Sequence, residues 1–512
     1  MRALWLGAVV VAAASCASAP IRKQDLLALD LADRLVLQGC YDCLLEARDA
    51  YARVATGRAR PLVIVRLFET ELLLALRENE LAMDTGATVA RARALLPELP
   101  PALDGRRYLS IVEVLPGDDY GWSDRETDGF RRTHRAAVAK SIDADLRWLA
   151  SDTALSQPVR QYLALSFDCL YFTRPRTGDV PQPAKTLRDP APATPPLLVY
   201  RAGMCRDITR ALLERTRAEV PRFVESSYFL ARAQPNHRDT RDRLTEVYAR
   251  FPASPSVTHL AGRFHQTIGD CRTALRHYDE TIALRAGHER AWLGRTMCLT
   301  YLKRPDEAIA SATSMLDRQI QLSDAYYWRA YNRRITRDLP AARSDIERAK
   351  AIYRSLDILT LAGMIEHDQD DLDPAQIDLT EARGGVMGRQ NCVAMWYLGL
   401  VHMKREQWGS AAPQFEDAMH CYERRVFQHQ RNLAAIVNNP DLDPALKAHQ
   451  IAGFEAAIKE DRGQQYAGAY NAANNHAGAR NFARARELLD IAAKDPDLDA
   501  QVRKLRELIK ER

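Results

Sequence analysis

The chain has 512 residues, too many for one small domain. Its hydrophobic share of 46% and charged share of 27% are those of a folded globular chain, and a formal net charge of +5 is small for this length. Arginines alternate with acids, so no nucleic-acid surface is indicated, and no internal stretch of 18 apolar residues free of charge offers a membrane-spanning helix.

Residues 1–19 read as an export signal. Arg2 supplies the positive end, Ala3 to Ala14 an apolar run too short for a permanent span, and small residues follow. The end of the run, Ala13-Ala14-Ser15-Cys16, resembles a bacterial lipoprotein signal, with Ala13 where that family usually has leucine. The resemblance implies a lipid on Cys16, which becomes the first mature residue. Ala17 is not aspartate, which implies delivery to the outer membrane, facing the periplasm or the cell surface. Ordinary cleavage after Ala17 or Ala19 and an uncleaved anchor are the alternatives; Pro20 disfavours cleavage after Ala19.

Residues 20–172 carry apolar residues at helical spacing. The segments are Leu26 to Leu37, Cys43 to Val54, Leu62 to Arg77, Thr88 to Leu96, Phe130 to Leu149 and Val159 to Tyr171. They are expected as degenerate helical hairpins. Gly117 to Trp122 is expected as a loop. Cys40-Tyr41-Asp42-Cys43 enters the second helix. A C-x-x-C can be a structural bridge, a redox dithiol or half a metal site. No βαβ context and no second ligand pair accompany it, so the bridge is the expectation. Seven prolines between Thr173 and Pro196 mark 173–196 as an exposed loop, and helices resume at Leu197. No alternating strand pattern is present, so the class is all-α.

The most ordered stretch runs from Ser254 to Tyr353. Ala274, Ala308 and Ala342 recur every 34 residues, each on the second of two amphipathic helices. Polar turns precede them: Gly269-Asp270, Lys303-Arg304 and Arg337-Asp338. Tyr278 and Thr281, Ala312 and Met315, Ile346 and Ala349 follow on the same face. The register extends back to Pro221, with Leu244 and Val247. It extends forward through Gly363, Ala375, Leu379 and Ala382, then Leu398-Gly399, Ala411, Phe415 and Ala418, and last Ala472-Ala473, Ala485, Leu489 and Ala492. This pattern resembles the tetratricopeptide repeat (TPR) over roughly residues 221 to 499. The resemblance implies a right-handed α-solenoid of antiparallel helix pairs over 197–499, closed by a capping helix over 500–512. The second helix of the Cys392 unit is expected to overrun to about Val437, stopped by Asn438-Asn439-Pro440. A long helix then starts at Asp443-Pro444.

Further expectations depend on the resemblance. Eight of the nine cysteines remain once Cys16 is set aside, an even number that suits an oxidising compartment. Antiparallel neighbours would bring Cys271 to Cys298 and Cys392 to Cys421 as bridges, with buried free thiols as the alternative for these two pairs, while Cys169 with Cys205 would close the proline-rich loop. First helices line the concave side. The family's groove positions there hold His259 and Arg263; Arg290, Met297 and Tyr301; Tyr327, Tyr331 and Arg334; Met364 and His367; Trp396, Met403 and Lys404. Such residues dominate interface energy, although Tyr327, Trp396, Met297 and Met364 also suit a core.

The His367 to Asp373 stretch gathers carboxylates, but an EF-hand would need glycine at Asp373 and glutamate at Leu379. A solvated turn is expected, with no metal and no cofactor. No phosphate loop, nucleophile elbow or H-E-x-x-H helix is present. The chain therefore reads as a non-catalytic TPR scaffold lipoprotein that binds protein or peptide partners in envelope assembly or secretion, held to the membrane by its lipid. The alternatives are a surface glycan binder using Trp122, or an enzyme with its site in residues 20–200.

Overall fold

The computed structural model describes residues 22–56, 59–114, 142–171, 181, 187, 189–204, 209–388 and 390–510. Among these residues every regular element is helical. They divide into two compact units, with the division between Ser226 and Ser227. Cys16, the Gly117 to Trp122 loop and Cys205 lie outside the described residues, as do the first residues of the Phe130 to Leu149 helix. The expected Cys169–Cys205 bridge falls there too.

The first unit contains α1 (Lys23–Gln38), α2 (Tyr41–Val54), α3 (Arg60–Glu80), α4 (Gly86–Leu95), α5 (Gly105–Val114), α6 (Ile142–Ser151), α7 (Gln157–Tyr171), α8 (Pro196–Gly203) and α9 (Arg210–Glu219). Its organising helix is α3, which packs on α2, α4 and α5. Every residue from Leu67 to Glu78 is buried, so its charged face has to find partners inside. Arg91 of α4 reaches Glu71 at 2.9 Å. Glu69 accepts from the Ser156 N–H, and burial pushes its carboxyl up to about 7. Arg77 is completely enclosed. It donates to Glu80 at 2.5 Å, the Tyr162 hydroxyl at 2.9 Å and the Gly39 carbonyl at 2.8 Å, and lies 4.1 Å over the Tyr200 ring.

Helix α10 (Val224–Ala233) spans the division. The second unit continues with α11 (Thr240–Arg250), α12 (Pro255–Thr267), α13 (Cys271–Leu284), α14 (Glu289–Tyr301), α15 (Pro305–Asp317), α16 (Leu322–Ile335), α17 (Leu339–Ile352), α18 (Leu356–Asp368), α19 (Leu372–Arg383), α20 (Cys392–Lys404), α21 (Trp408–Val437), α22 (Pro444–Gly478), α23 (Phe482–Ala492) and α24 (Asp499–Ile509). From α12 to α21, and again in α22–α23, they pair as hairpins. Ala274, Ala308, Ala342, Ala375, Ala411 and Ala485 are all fully buried, and the following positions of each second helix line the same seam.

The turns inside the hairpins share one construction. Gly269, Lys303, Arg337, Asp370, Glu406 and Arg480 have φ between 57° and 79°. The next residue's N–H returns to a carbonyl five residues back, for example Asp270 to His265 at 2.8 Å, Asp338 to Arg333 at 2.9 Å and Asn481 to His476 at 2.8 Å. This is the Schellman closure, which satisfies carbonyls left open at a helix end. In three of these turns that same residue also caps the second helix: Asp270 accepts from the Thr273 N–H at 3.1 Å, Asp338 from the Ala341 N–H at 3.4 Å and Asn481 from the Arg484 N–H at 3.3 Å.

Helices α21 and α22 pack along each other. Asp443 opens α22 by accepting from the Ala445 and Leu446 N–H groups at 2.9 and 3.0 Å. The final helix begins at Asp499, one residue ahead of the expected start, with Leu498 at its N-cap position.

Among the described residues two disulfides are formed. Cys40–Cys43 joins residues whose Cα atoms are 4.9 Å apart, and Cys40 also caps α2 by accepting from the Cys43 N–H at 3.0 Å. Cys392–Cys421 ties α20 to α21 across 5.4 Å. Cys271 and Cys298 depart from the expected bridge: both are free thiols, buried and hydrogen-bonded to each other. They pack in one apolar cluster with Ala274, Tyr278, Ala291 and Leu299. A buried thiol behaves as a small hydrophobe and needs no covalent partner there. Alkylation of the unfolded, unreduced protein is expected to label Cys271 and Cys298 and to spare Cys40, Cys43, Cys392 and Cys421. A peptide map showing Cys271 joined to Cys298 would contradict this.

Candidate functional site

The first helices α14, α16, α18 and α20 present the positions expected to face a partner. At the end of α14, Tyr301 is 58% exposed. Trp328 of α16 stands edge-on to it, with ring centroids 6.4 Å apart. Trp328 also meets Tyr327 at 5.4 Å and Tyr331 at 5.7 Å. Tyr327 and Tyr331 back onto the core formed with Ile358, Leu361 and Ala362, and burial pushes the Tyr327 phenol up to about 12. The result is an aromatic cluster with a buried root and an exposed edge. Such amphipathic rings are preferred interface anchors.

Beyond the cluster the charged positions are already engaged. Arg334 donates to Asp368 at 2.8 Å and to the Tyr397 hydroxyl at 2.9 Å. Burial pushes the Asp368 carboxyl up, but His367 and Arg334 outweigh it and hold it below its ordinary value. Lys404 donates to Asp370 at 2.5 Å and to the His367 carbonyl at 3.1 Å. These pairs link α16, α18 and α20 through the ends of successive first helices. They also account for the acidic turn: Asp371 pairs with Arg343 at 2.6 Å and Asp373 with Arg405.

Other expected groove residues are placed differently. Trp396 lies edge-on to Phe415 at 5.5 Å and packs against two core clusters, and Met403 packs against one of them. Both belong to the packing between repeats. His259 is buried and meets the His288 ring at 4.6 Å, tilted by 44°. Arg263, Arg290, Met297 and Met364 are half-buried on their first helices.

How closely the paired helices cross is set by small residues. A Cβ on Gly262 would stand 2.8 Å from the Tyr278 ring, one on Gly363 2.4 Å from Leu379, and one on Gly399 2.8 Å from the Phe415 ring. Each of these three glycines thus receives the large residue of the facing second helix, at one register. The fold is that of the tetratricopeptide repeat.

No protein-family model and no curated protein matches the sequence. Among solved structures, a TPR protein from Parabacteroides merdae is 10% identical, covering 52% of this chain and 92% of that one with a TM-score of 0.35. The APC/C hetero-tetramer Cut9-Hcn1 is 12% identical over 92% and 93%, with a TM-score of 0.35. YrrB, described as a TPR protein with an unusual peptide-binding site, is 14% identical over 35% and 91%, with a TM-score of 0.30. The chain's own repeat geometry carries the fold.

Periodicity missed Trp328, which meets Tyr301, Tyr327 and Tyr331, and Tyr397, whose hydroxyl accepts from Arg334. Both sit in consecutive aromatic runs, Tyr326-Tyr327-Trp328 and Trp396-Tyr397. Successive helical residues are turned by about 100°. Such a run therefore cannot lie on one face, and that was the available signal.

Proposed function

We propose that this chain is an exported, lipid-anchored TPR scaffold that holds a protein or peptide partner in the bacterial cell envelope, without catalysis of its own. The observation that carries this reading is the aromatic cluster of Tyr301, Tyr327, Trp328 and Tyr331, whose Tyr301 edge is exposed. A partner fits it by inserting apolar side chains between the rings. It gains little from Arg334 or Lys404, whose charges are already paired within the repeats. The export and lipid parts rest on Arg2, the apolar run and Cys16.

A photo-crosslinking residue placed at Tyr301 in the producing cell tests the partner. The expected result is one or a few discrete protein adducts, absent when the same group replaces Leu508, which is 61% exposed on the last helix. Identical adducts at both positions, or none at 301, would remove the reading. The intact mass of protein taken from native membranes tests the anchor, with a diacyl or triacyl increment on Cys16 as the expected value.

A further inference from the structure

Three carboxylates converge where α17, α18 and α19 meet. Glu347 of α17, Glu366 of α18 and Asp378 of α19 each place one oxygen within 4.8 Å of the other two. Asp378 is buried and Glu347 is half exposed at the rim. Glu366 is completely buried, and neither of its carboxylate oxygens receives a hydrogen bond. Burying an unpartnered carboxylate is costly, so such groups are found with a cation or a donor.

The cations present do not supply it. Lys350 donates to Asp378 at 2.5 Å and to Glu347 at 2.9 Å and makes no bond to Glu366. Arg354 approaches Asp378 at 3.7 Å, but its bidentate partner is Glu381. Arg343 is turned to Asp371.

We propose that Glu347, Glu366 and Asp378 form a site for a calcium-sized divalent cation. Calcium takes oxygens at about 2.3–2.6 Å, and three oxygens within 4.8 Å of one another can all reach one such ion. Magnesium demands near-ideal octahedral geometry at about 2.0–2.1 Å and sheds its waters reluctantly, so it is the weaker competitor for a site of three fixed side chains. The exposed rim at Glu347 admits the waters that complete the coordination. Lys350, on a long flexible stem, is the cation that calcium displaces. Nothing in the sequence pattern announces the site, because its ligands come from two repeats and none lies in the aspartate-rich turn.

Calorimetric titration of the full-length, chelator-treated protein with calcium chloride and with magnesium chloride tests this. One calcium per chain is expected, with magnesium weaker. E347Q and E366Q are each expected to weaken calcium binding at least tenfold. E347Q alters a rim residue and keeps the test independent of any folding defect in E366Q. K350M is expected to strengthen binding, because the competing ammonium is gone. D370N/D373N is expected to leave it unchanged. No calcium heat and no calcium-dependent rise in Tm in the parent protein overturns the proposal. So does K350M binding no tighter than the parent, or loss of binding in D370N/D373N, which would move calcium to the turn.

Discussion

Replacing Arg77 by methionine lowers the stability of the first unit by about 3–5 kcal/mol, the usual consequence of removing one partner from a buried charge network. The guanidinium is the centre of that network. It touches Glu80, the Tyr162 hydroxyl and the Gly39 carbonyl directly, and stands 3.7 Å from Glu225. It also covers the Tyr200 ring at 4.1 Å and the Phe223 ring at 5.2 Å. Methionine fills much of the volume, so the loss is electrostatic rather than a cavity. Glu225 is fully enclosed. Burial pushes its carboxyl up to about 7, and Arg77 is the strongest influence in the other direction. Without Arg77 its folded value rises further above the unfolded one. An acid raised in this way binds its proton more tightly when folded, so the stability of the variant falls as pH rises from about 4 through neutrality. The deficit against the parent is therefore smallest in acid. Urea unfolding followed by circular dichroism at pH 5 and pH 8 measures it. A variant that unfolds with the parent at pH 8 would show the network to be dispensable.

The same helix shows what the sequence could not convey. Its apolar spacing predicts a helix from Leu62 to Arg77, and the structure has one from Arg60 to Glu80. Amphipathic spacing also implies a solvated face, yet Glu69, Glu71, Arg77 and Glu78 are all buried. Periodicity reports where the apolar residues lie. It does not report that a second layer of helices will cover the polar side and satisfy it. In the repeats the reverse holds, because one seam is used again and again. Ala274, Ala308 and Ala342 therefore mark fully buried positions from sequence alone. The turns stay hidden because only Gly269 among the six left-handed turn residues is a glycine. Lys303, Arg337, Asp370, Glu406 and Arg480 adopt that conformation at a cost of about 1–2 kcal/mol each, offset by the Schellman closure. The candidate face was half legible. Tyr301, Tyr327 and Tyr331 meet as a group through Trp328, but Trp396 turns inward, and the partners of Arg334 and Lys404 come from the end of α18 and the turn after it, one repeat away in the chain.

Gly294→Ala is expected to destabilise the second unit by about 1–3 kcal/mol, the range for overpacking a filled core. This is opposite in sign to the general rule. In an exposed helix interior the same change stabilises by roughly 1 kcal/mol, because glycine has more backbone freedom to lose on folding. Here a Cβ on Gly294 would stand 2.4 Å from Tyr278 Cζ and 2.7 Å from its hydroxyl oxygen. The ring has no direction in which to give. Its other side faces Gly262, where a Cβ would stand 2.8 Å from Tyr278 Cε1. Its hydroxyl is held by Gln266 at 2.5 Å. One tyrosine thus lies between the glycines of two successive first helices, and α14 must move away from α13 to admit a methyl group. Gly453→Ala in α22 is the control, since a Cβ there meets nothing within 4 Å. The two variants are expected to shift the urea midpoint in opposite directions. If Gly294→Ala instead stabilises as Gly453→Ala does, the close crossing of α13 and α14 around Tyr278 is refuted.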